Sequence, residues 1–209
     1  MNPFSDTFTY LLQPKWPIYL LWLLLLGAAV AVVYNLMVDN GQRNVKDIWM
    51  CIARILLGNM WWQQTLWKLP PYYTDLPSVP NSGLKHWMIE LVHSAAFAIQ
   101  SALVKNIVLP HFTIFAPMVY GMEVFIGATL ILGLFLRLGA TLGALMAINL
   151  WLGLYRAPTE WPWTYFFLVL LQITFAVLQA GRSLGCDAII ARRLGESKGV
   201  MGRVLGLIT

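Results

Sequence analysis

Long apolar stretches alternate with short polar connections along the chain. Residues 16–37, 112–136 and 161–180 are close to uninterrupted apolar blocks, each ending at a charged residue. A helix that crosses a bilayer needs about 20 mostly apolar residues. Each block therefore predicts one membrane-spanning helix.

Two further segments predict spans of a different character. Residues 48–69 are apolar but contain Arg54, Asn59, Gln63 and Gln64. Residues 139–155 follow the preceding span after a very short link, so the two helices are expected to be antiparallel neighbours. Gly139 and Gly143 form a GxxxG pair, which predicts close helix packing.

Residues 84–109 are the ambiguous segment, because their polar side chains recur at near-helical spacing. This pattern favours an amphipathic helix on the membrane surface or against the other spans. A buried sixth span is the alternative. Residues 70–83 before it are rich in proline, which predicts an ordered or extended loop.

Composition excludes a soluble catalytic domain. Hydrophobic residues make up 59% of the 209 residues and charged residues only 11%, whereas a soluble domain has about 25% charged residues. The chain is therefore expected to be an integral, multi-pass protein whose partner is the lipid bilayer. The net charge of +5 is spread between apolar blocks, so we expect no nucleic-acid partner.

The basic residues after the last span, including Arg192, Arg193, Lys198 and Arg203, place the C-terminus in the cytoplasm and the protein in the cell inner membrane. The same rule does not decide between five and six spans. The polar face of residues 84–109 favours five spans, with the N-terminus outside.

Glu123 is the first candidate for chemistry, because a carboxylate near the bilayer centre is costly and tends to mark a functional site. It is expected to be protonated or to pair with Arg54. The alternative to a functional site is a structural ion pair that fixes helix packing. Arg54, Gly58 and Lys68 fall roughly on one helix face. Gly58 there admits a neighbouring helix or a flat ligand, and the packing role is favoured.

His86, Glu90 and His93 share a second helical face. The two histidines could hold haem or touch a quinone headgroup, although a solvated helix face is the favoured interpretation. One Glu-x-x-His step is too little for a di-iron bundle, and Cys51 and Cys186 do not form a CxxC pair. We therefore predict no metal site.

Three short patches resemble the DoxX/DoxD group of small membrane proteins. The first is Arg54 and Gly58 followed by Lys68, which is similar to the family's first-helix pattern. The second is similar to the family's Glu-containing helix and the basic turn after it, and comprises Glu123, Gly127, Gly133, Leu134, Arg137 and Gly139. The third is similar to the end of the family's last helix, and comprises Ala180, Gly181, Arg182, Leu184, Gly185 and Asp187.

The resemblance implies an all-α membrane protein with a four-helix bundle over residues 47–187. Residues 1–46 add an extra N-terminal span and loop, residues 70–110 an outer loop with an amphipathic interfacial helix, and residues 188–209 a basic cytoplasmic tail. DoxD is the membrane subunit associated with thiosulfate:quinone oxidoreductase, so the resemblance also implies a link to quinone-dependent electron transfer.

The leading hypothesis is an integral membrane subunit of a quinone-linked oxidoreductase or respiratory electron-transfer complex. Such a subunit would anchor other subunits and contribute to a quinone site, with Arg54, Glu123, His93 and Lys68 as candidates for quinone contact or proton relay. Gly58, Gly139 and Gly143 would serve helix packing. The alternative is a structural or assembly subunit without chemistry, and a small transporter ranks last because no inverted repeat is visible.

Overall fold

The computed structural model describes residues 2–194, and within these residues the chain is helical and contains no strand. Lys198 and Arg203 of the predicted tail lie outside the described residues. The described part forms nine α-helices: α1 (Pro3–Leu11), α2 (Trp16–Val38), α3 (Val45–Gln64), α4 (Leu84–Ser94), α5 (Ala98–Leu103), α6 (Phe112–Leu132), α7 (Leu136–Gly153), α8 (Pro162–Val177) and α9 (Cys186–Leu194).

Three of the described helices, α2, α6 and α7, are long and apolar enough to cross a membrane. The chain is therefore a helical membrane protein, as the apolar blocks predicted. Helix α8 is apolar but has 16 residues, a length of about 24 Å at 1.5 Å per residue. Helix α3 has 20 residues and carries the polar side chains that set its segment apart in the sequence.

Four helices pack in the order α3, α6, α7 and α8, each against the next. Helices α3 and α6 run antiparallel and cross closely where two glycines meet. A Cβ atom added to Gly58 would lie 2.7 Å from Cγ1 and 2.9 Å from the backbone nitrogen of Ile131, and 3.0 Å from the carbonyl oxygen of Gly127. Gly58 therefore faces the backbone of a neighbouring helix and not an open ligand space.

The GxxxG pair lies on a buried face of α7. A Cβ atom on Gly139 would overlap the side chain of Thr129 on α6, and one on Gly143 would overlap Gln172 on α8. Ala147 continues this face and is fully buried. Small residues on α7 thus allow it to pack closely against both neighbours.

The additional N-terminal span α2 packs against this row of helices. Its buried residues Ile18, Leu21 and Ala28 form one apolar cluster with Trp62 of α3 and Ile131 of α6. Trp62 also donates a hydrogen bond of 2.9 Å from Nε1 to the carbonyl oxygen of Pro17. The described start of the predicted tail is α9, which packs back on α2.

The segment 84–109 is not one helix. Helix α4 ends at Ser94, α5 begins at Ala98, and a π-helical stretch, Val104–Val108, continues α5. Neither piece reaches the roughly 20 residues that a span requires, and neither is among the described helices long and apolar enough to cross a membrane. The two pieces pack on α6, α7 and the start of α8, with Leu84, Met88 and Leu91 buried against Ala116 and Leu154.

The crossing at Gly58 leads to a first prediction. Gly58→Ala should destabilise the protein by about 1–3 kcal/mol, because the added methyl group meets backbone that cannot move freely. Thermal unfolding in detergent, followed by tryptophan fluorescence, would measure the change.

Gly121→Ala is the matched control on α6. A Cβ atom at Gly121 meets nothing within 4 Å, and alanine favours a helix over glycine. This variant should be as stable as the parent chain or slightly more stable. Equal stability of the two variants would contradict the close crossing.

Candidate functional site

Arg54 belongs to α3 and is fully buried. Its side chain reaches the C-terminal end of α6. Its Nη1 atom donates hydrogen bonds to the carbonyl oxygens of Leu130 (2.6 Å) and Ile131 (2.9 Å). The last four carbonyls of a helix lack partners within the helix, and a cation at this end also complements the helix dipole. Arg54 therefore caps α6, which reverses into α7 at Gly133, a residue with left-handed backbone (φ 62°).

Asp187 serves the other side of the same turn. Its Oδ1 atom accepts from the backbone nitrogen of Phe135 (2.8 Å) and its Oδ2 from that of Leu136 (2.9 Å), the first residue of α7. Burial raises the pKa of the Asp187 carboxyl, and the two N–H donors oppose that rise because they favour the carboxylate. An acid thus caps the start of α7, opposite the arginine that caps α6.

One part of each patch behind the family resemblance lies at this turn: Arg54, Gly133 and the stretch from Gly185 to Asp187. Gly185 packs against Gly133, since a Cβ atom on Gly185 would lie 3.0 Å from the Cα atom of Gly133. Asn35 of α2 donates to the carbonyl oxygen of Gly185 (3.0 Å) and accepts a hydrogen bond from Arg192 of α9. Most polar groups around the α6–α7 turn have partners within the chain. The turn and its neighbours therefore hold helix ends together.

A cavity in the described structure has a different character from this turn. It has a volume of about 570 Å³, within the range of small-molecule sites. It lies between α3, α6, α7 and α8, and α4 and the α5 segment line its remaining wall. Its lining is mainly apolar and aromatic and includes Trp61, Trp67, Trp87, Met88, Leu150 and Leu168.

Lys68 and Glu123 form a buried ion pair in the wall of this cavity. The side chain of Lys68 is 7% exposed and that of Glu123 is 2% exposed. The expected pairing of Glu123 with Arg54 is therefore wrong. Because α3 and α6 are antiparallel, Arg54 lies opposite Leu130 and Ile131, and Lys68, past the other end of α3, reaches Glu123.

Two polar atoms of the lining residues have unused hydrogen-bonding capacity. Glu123 Oε2 and Trp61 Nε1 are buried and find no partner in the part of the chain that the structure describes. Lys68 Nζ also lies 4.3 Å from the ring centre of Trp67, a cation–π contact. Glu123 Oε2 and Trp61 Nε1 lack accessible surface, so a ligand in the cavity would contact the aromatic rings of the lining and would reach these two atoms only after the wall rearranges.

A second polar pair lines the same cavity. The hydroxyl of Tyr165 donates a 2.8 Å hydrogen bond to Oε2 of Glu160. Glu160, Tyr165 and Trp61 were not among the residues predicted from the sequence to form a quinone or proton-relay site. Glu160 could have been noticed because the chain has only nine acidic residues, but nothing in the sequence places it near Glu123.

The histidine face of α4 does not join the site. His86 and His93 are exposed, and neither lines the cavity. Glu90 accepts a 2.6 Å hydrogen bond from the hydroxyl of Ser94 within its own helix. Among residues 2–194, no group of three or more His, Cys, Asp or Glu side chains could hold a metal ion.

Comparison of the chain with protein families, with characterised proteins and with solved structures finds no match. The functional argument therefore starts from the cavity and its ion pair.

The ion pair gives a second prediction. Lys68→Met would leave the Glu123 carboxylate buried without its cation and should destabilise the protein by about 3–5 kcal/mol. Adding Glu123→Gln to that variant removes the stranded charge and should restore at least half of the lost stability. Unfolding of both single variants and the double variant would give the coupling energy.

Lys85→Met is the matched control, because Lys85 is exposed on α4 and its loss should change stability little. Strictly additive effects of the two changes at Lys68 and Glu123 would show that their charges are not coupled.

Proposed function

We propose that this chain is an integral membrane subunit of a quinone-linked oxidoreductase and that its cavity holds the quinone headgroup. The carrying observation is the buried pair of Lys68 and Glu123 in the wall of an otherwise apolar, aromatic cavity. An ion pair inside a membrane protein is costly and tends to mark function. Here the acid also keeps one oxygen, Oε2, without a partner.

The residues present fit such a headgroup. The Lys68 ammonium can donate a hydrogen bond to a quinone carbonyl oxygen, and Trp61 Nε1 is a second donor in the same lining. Trp67 and Trp87, whose ring centres are 6.2 Å apart, provide flat surfaces for a ring to contact. A bound quinone would supply the capacity to accept two electrons and two protons.

Glu123 is the residue in this cavity best placed to hold and transfer a proton. It neighbours the Lys68 donor, and its Oε2 atom has neither a partner nor accessible surface in the described structure. Oε2 would accept a hydrogen bond from a hydroxyl group of the reduced ligand once a side chain of the wall moves. The electrons would come from a partner subunit that carries a redox cofactor. This arrangement assigns Arg54 to helix capping, and it gives His93 no contact with the ligand.

The proposed topology follows from the same assignment. Helices α2, α3, α6, α7 and α8 would be the five spans, with α3, α6, α7 and α8 as the DoxX-like four-helix core and α4 and α5 as the interfacial segment. The N-terminus would be outside and the basic C-terminus in the cytoplasm of a bacterial-type inner membrane. The additional span α2 exposes a long apolar face, which suits lipid or a helix of another subunit.

Binding of a ring-only quinone to the purified chain in lipid nanodiscs tests the proposal. The probe is 2,3-dimethoxy-5-methyl-1,4-benzoquinone, and bound ligand is separated from free ligand and quantified by chromatography. Trp61→Phe should weaken binding of this quinone about tenfold, the effect of one lost hydrogen bond to a buried group. Glu123→Gln should weaken binding of the corresponding hydroquinone, whose hydroxyl group is the donor to Oε2, by about the same factor.

Lys85→Met and His93→Gln are expected to bind as the parent chain does, since both positions are exposed on α4. Trp61→Phe keeps most of the side-chain volume, so it tests the site even if the change at Glu123 lowers stability. If the folded parent chain binds no quinone, the proposal fails and a purely structural role takes its place.

A further inference from the structure

The row of helices that surrounds the cavity does not close on itself. Helix α3 packs on α6, α6 on α7, and α7 on α8, but no comparable packing joins the described parts of α8 and α3. Both of these edge helices line the cavity, α3 with Leu57, Met60 and Trp61 and α8 with Phe167, Leu168 and Leu171. The cavity therefore extends to the gap between the two edges.

The rim of this gap is apolar and exposed. Met60 is 36% exposed, Leu171 37% and Phe167 55%, and all three line the cavity. The neighbouring outward residues Leu56 on α3 and Leu170 on α8 are exposed as well but do not line it. In a membrane protein, lipid covers such a surface, so the gap opens sideways to the hydrocarbon and not to water.

The polarity of the cavity changes from its rim to its wall. The rim residues carry no charge, while Lys68, Glu123 and Glu160 contribute the charged part of the wall. A ligand that matches this gradient has a polar ring at one end and a long apolar chain at the other. The cavity volume of about 570 Å³ suits the ring and the first part of such a chain, and leaves the remainder in the lipid.

We infer that the gap between α3 and α8 is a lateral portal through which a long-chain quinone dissolved in the bilayer enters the cavity, with its chain lying against Met60, Phe167 and Leu171. This inference rests on the proposed function and adds the class of substrate and its route. A water-soluble ring without a chain fits the inner wall but makes no use of the rim.

Two matched pairs of variants test the portal. Leu171→Trp and Met60→Trp add bulk at the rim, and Leu170→Trp and Leu56→Trp add bulk on the adjacent lipid-facing surface of the same helices. The probes are 2,3-dimethoxy-5-methyl-1,4-benzoquinone and the same ring with a decyl chain. Affinities are measured in nanodiscs and expressed per concentration in the bilayer, so that partitioning of the chain into lipid does not count as binding.

The parent chain should bind the decyl quinone severalfold more tightly than the bare ring, through packing of the chain against the rim, because removal from water contributes nothing once concentrations refer to the bilayer. The two rim variants should lose that preference and bind the bare ring within about twofold of the parent, a difference well below the tenfold step that one hydrogen bond gives. The two surface variants should keep the preference.

The outcomes separate the portal from the function. Equal affinity for the two probes, or an unchanged preference in both rim variants, would overturn the portal and leave the quinone site intact. An equal loss in the surface variants would overturn it too, because the effect would then be general. If neither probe binds to the folded parent chain, the proposed function fails and the portal fails with it.

Discussion

The structure depends on the capping of one turn by two buried residues of opposite charge. In a bilayer, backbone groups that a helix leaves unpaired cannot turn to water and must find partners in the protein. At the turn between α6 and α7, Arg54 donates hydrogen bonds to the carbonyls of Leu130 and Ile131. Asp187 accepts hydrogen bonds from the N–H groups of Phe135 and Leu136. Because Arg54 belongs to α3 and Asp187 to α9, satisfying this turn also holds four helices together at one end.

The pair of Lys68 and Glu123 is buried to a similar degree but is used differently. At the α6–α7 turn, both carboxylate oxygens of Asp187 accept backbone hydrogen bonds, so the acid has little capacity left for a ligand. At the cavity, Glu123 spends one oxygen on Lys68 and leaves the other without a partner beside an apolar space. A buried acceptor without a partner carries a desolvation cost that a bound donor would remove. The two acids therefore differ in saturation, whereas both sites keep one buried donor without a partner in the described structure, Arg54 Nε at the turn and Trp61 Nε1 at the cavity.

The spans could be predicted from the sequence because lipid imposes a simple rule of length and polarity. The predicted segments 16–37, 112–136 and 139–155 differ from α2, α6 and α7 by a few residues at their ends. The partner of Glu123 could not be predicted, because hydropathy does not reveal which helix faces lie together or at what register. The sequence contained both possible cations, and only the antiparallel packing of α3 on α6 decides between Arg54 and Lys68. The break at residues 95–97 was hidden for a related reason, since the polar spacing on either side continues through it. At the break, the backbone N–H of Ala96 donates a 2.8 Å hydrogen bond to the carbonyl oxygen of Leu152 on α7, a tertiary contact that the sequence does not reveal.

The two charged sites are linked through α3, which carries Arg54 and ends four residues before Lys68. Arg54 and Lys68 are fourteen positions apart, or about 21 Å if that stretch were wholly α-helical. Arg54 fixes the position of α3 along α6 by binding two specific carbonyls, and the contact of Gly58 with Gly127 brings the helices close enough for that position to be unique. A shift of α3 by one residue would rotate its side chains by about 100° and move them 1.5 Å, which would withdraw the guanidinium from the α6 carbonyls and the Lys68 ammonium from Glu123 together. The capped turn thus sets the geometry of the ion pair at the cavity, and residues that the proposed ligand never touches determine whether its site exists.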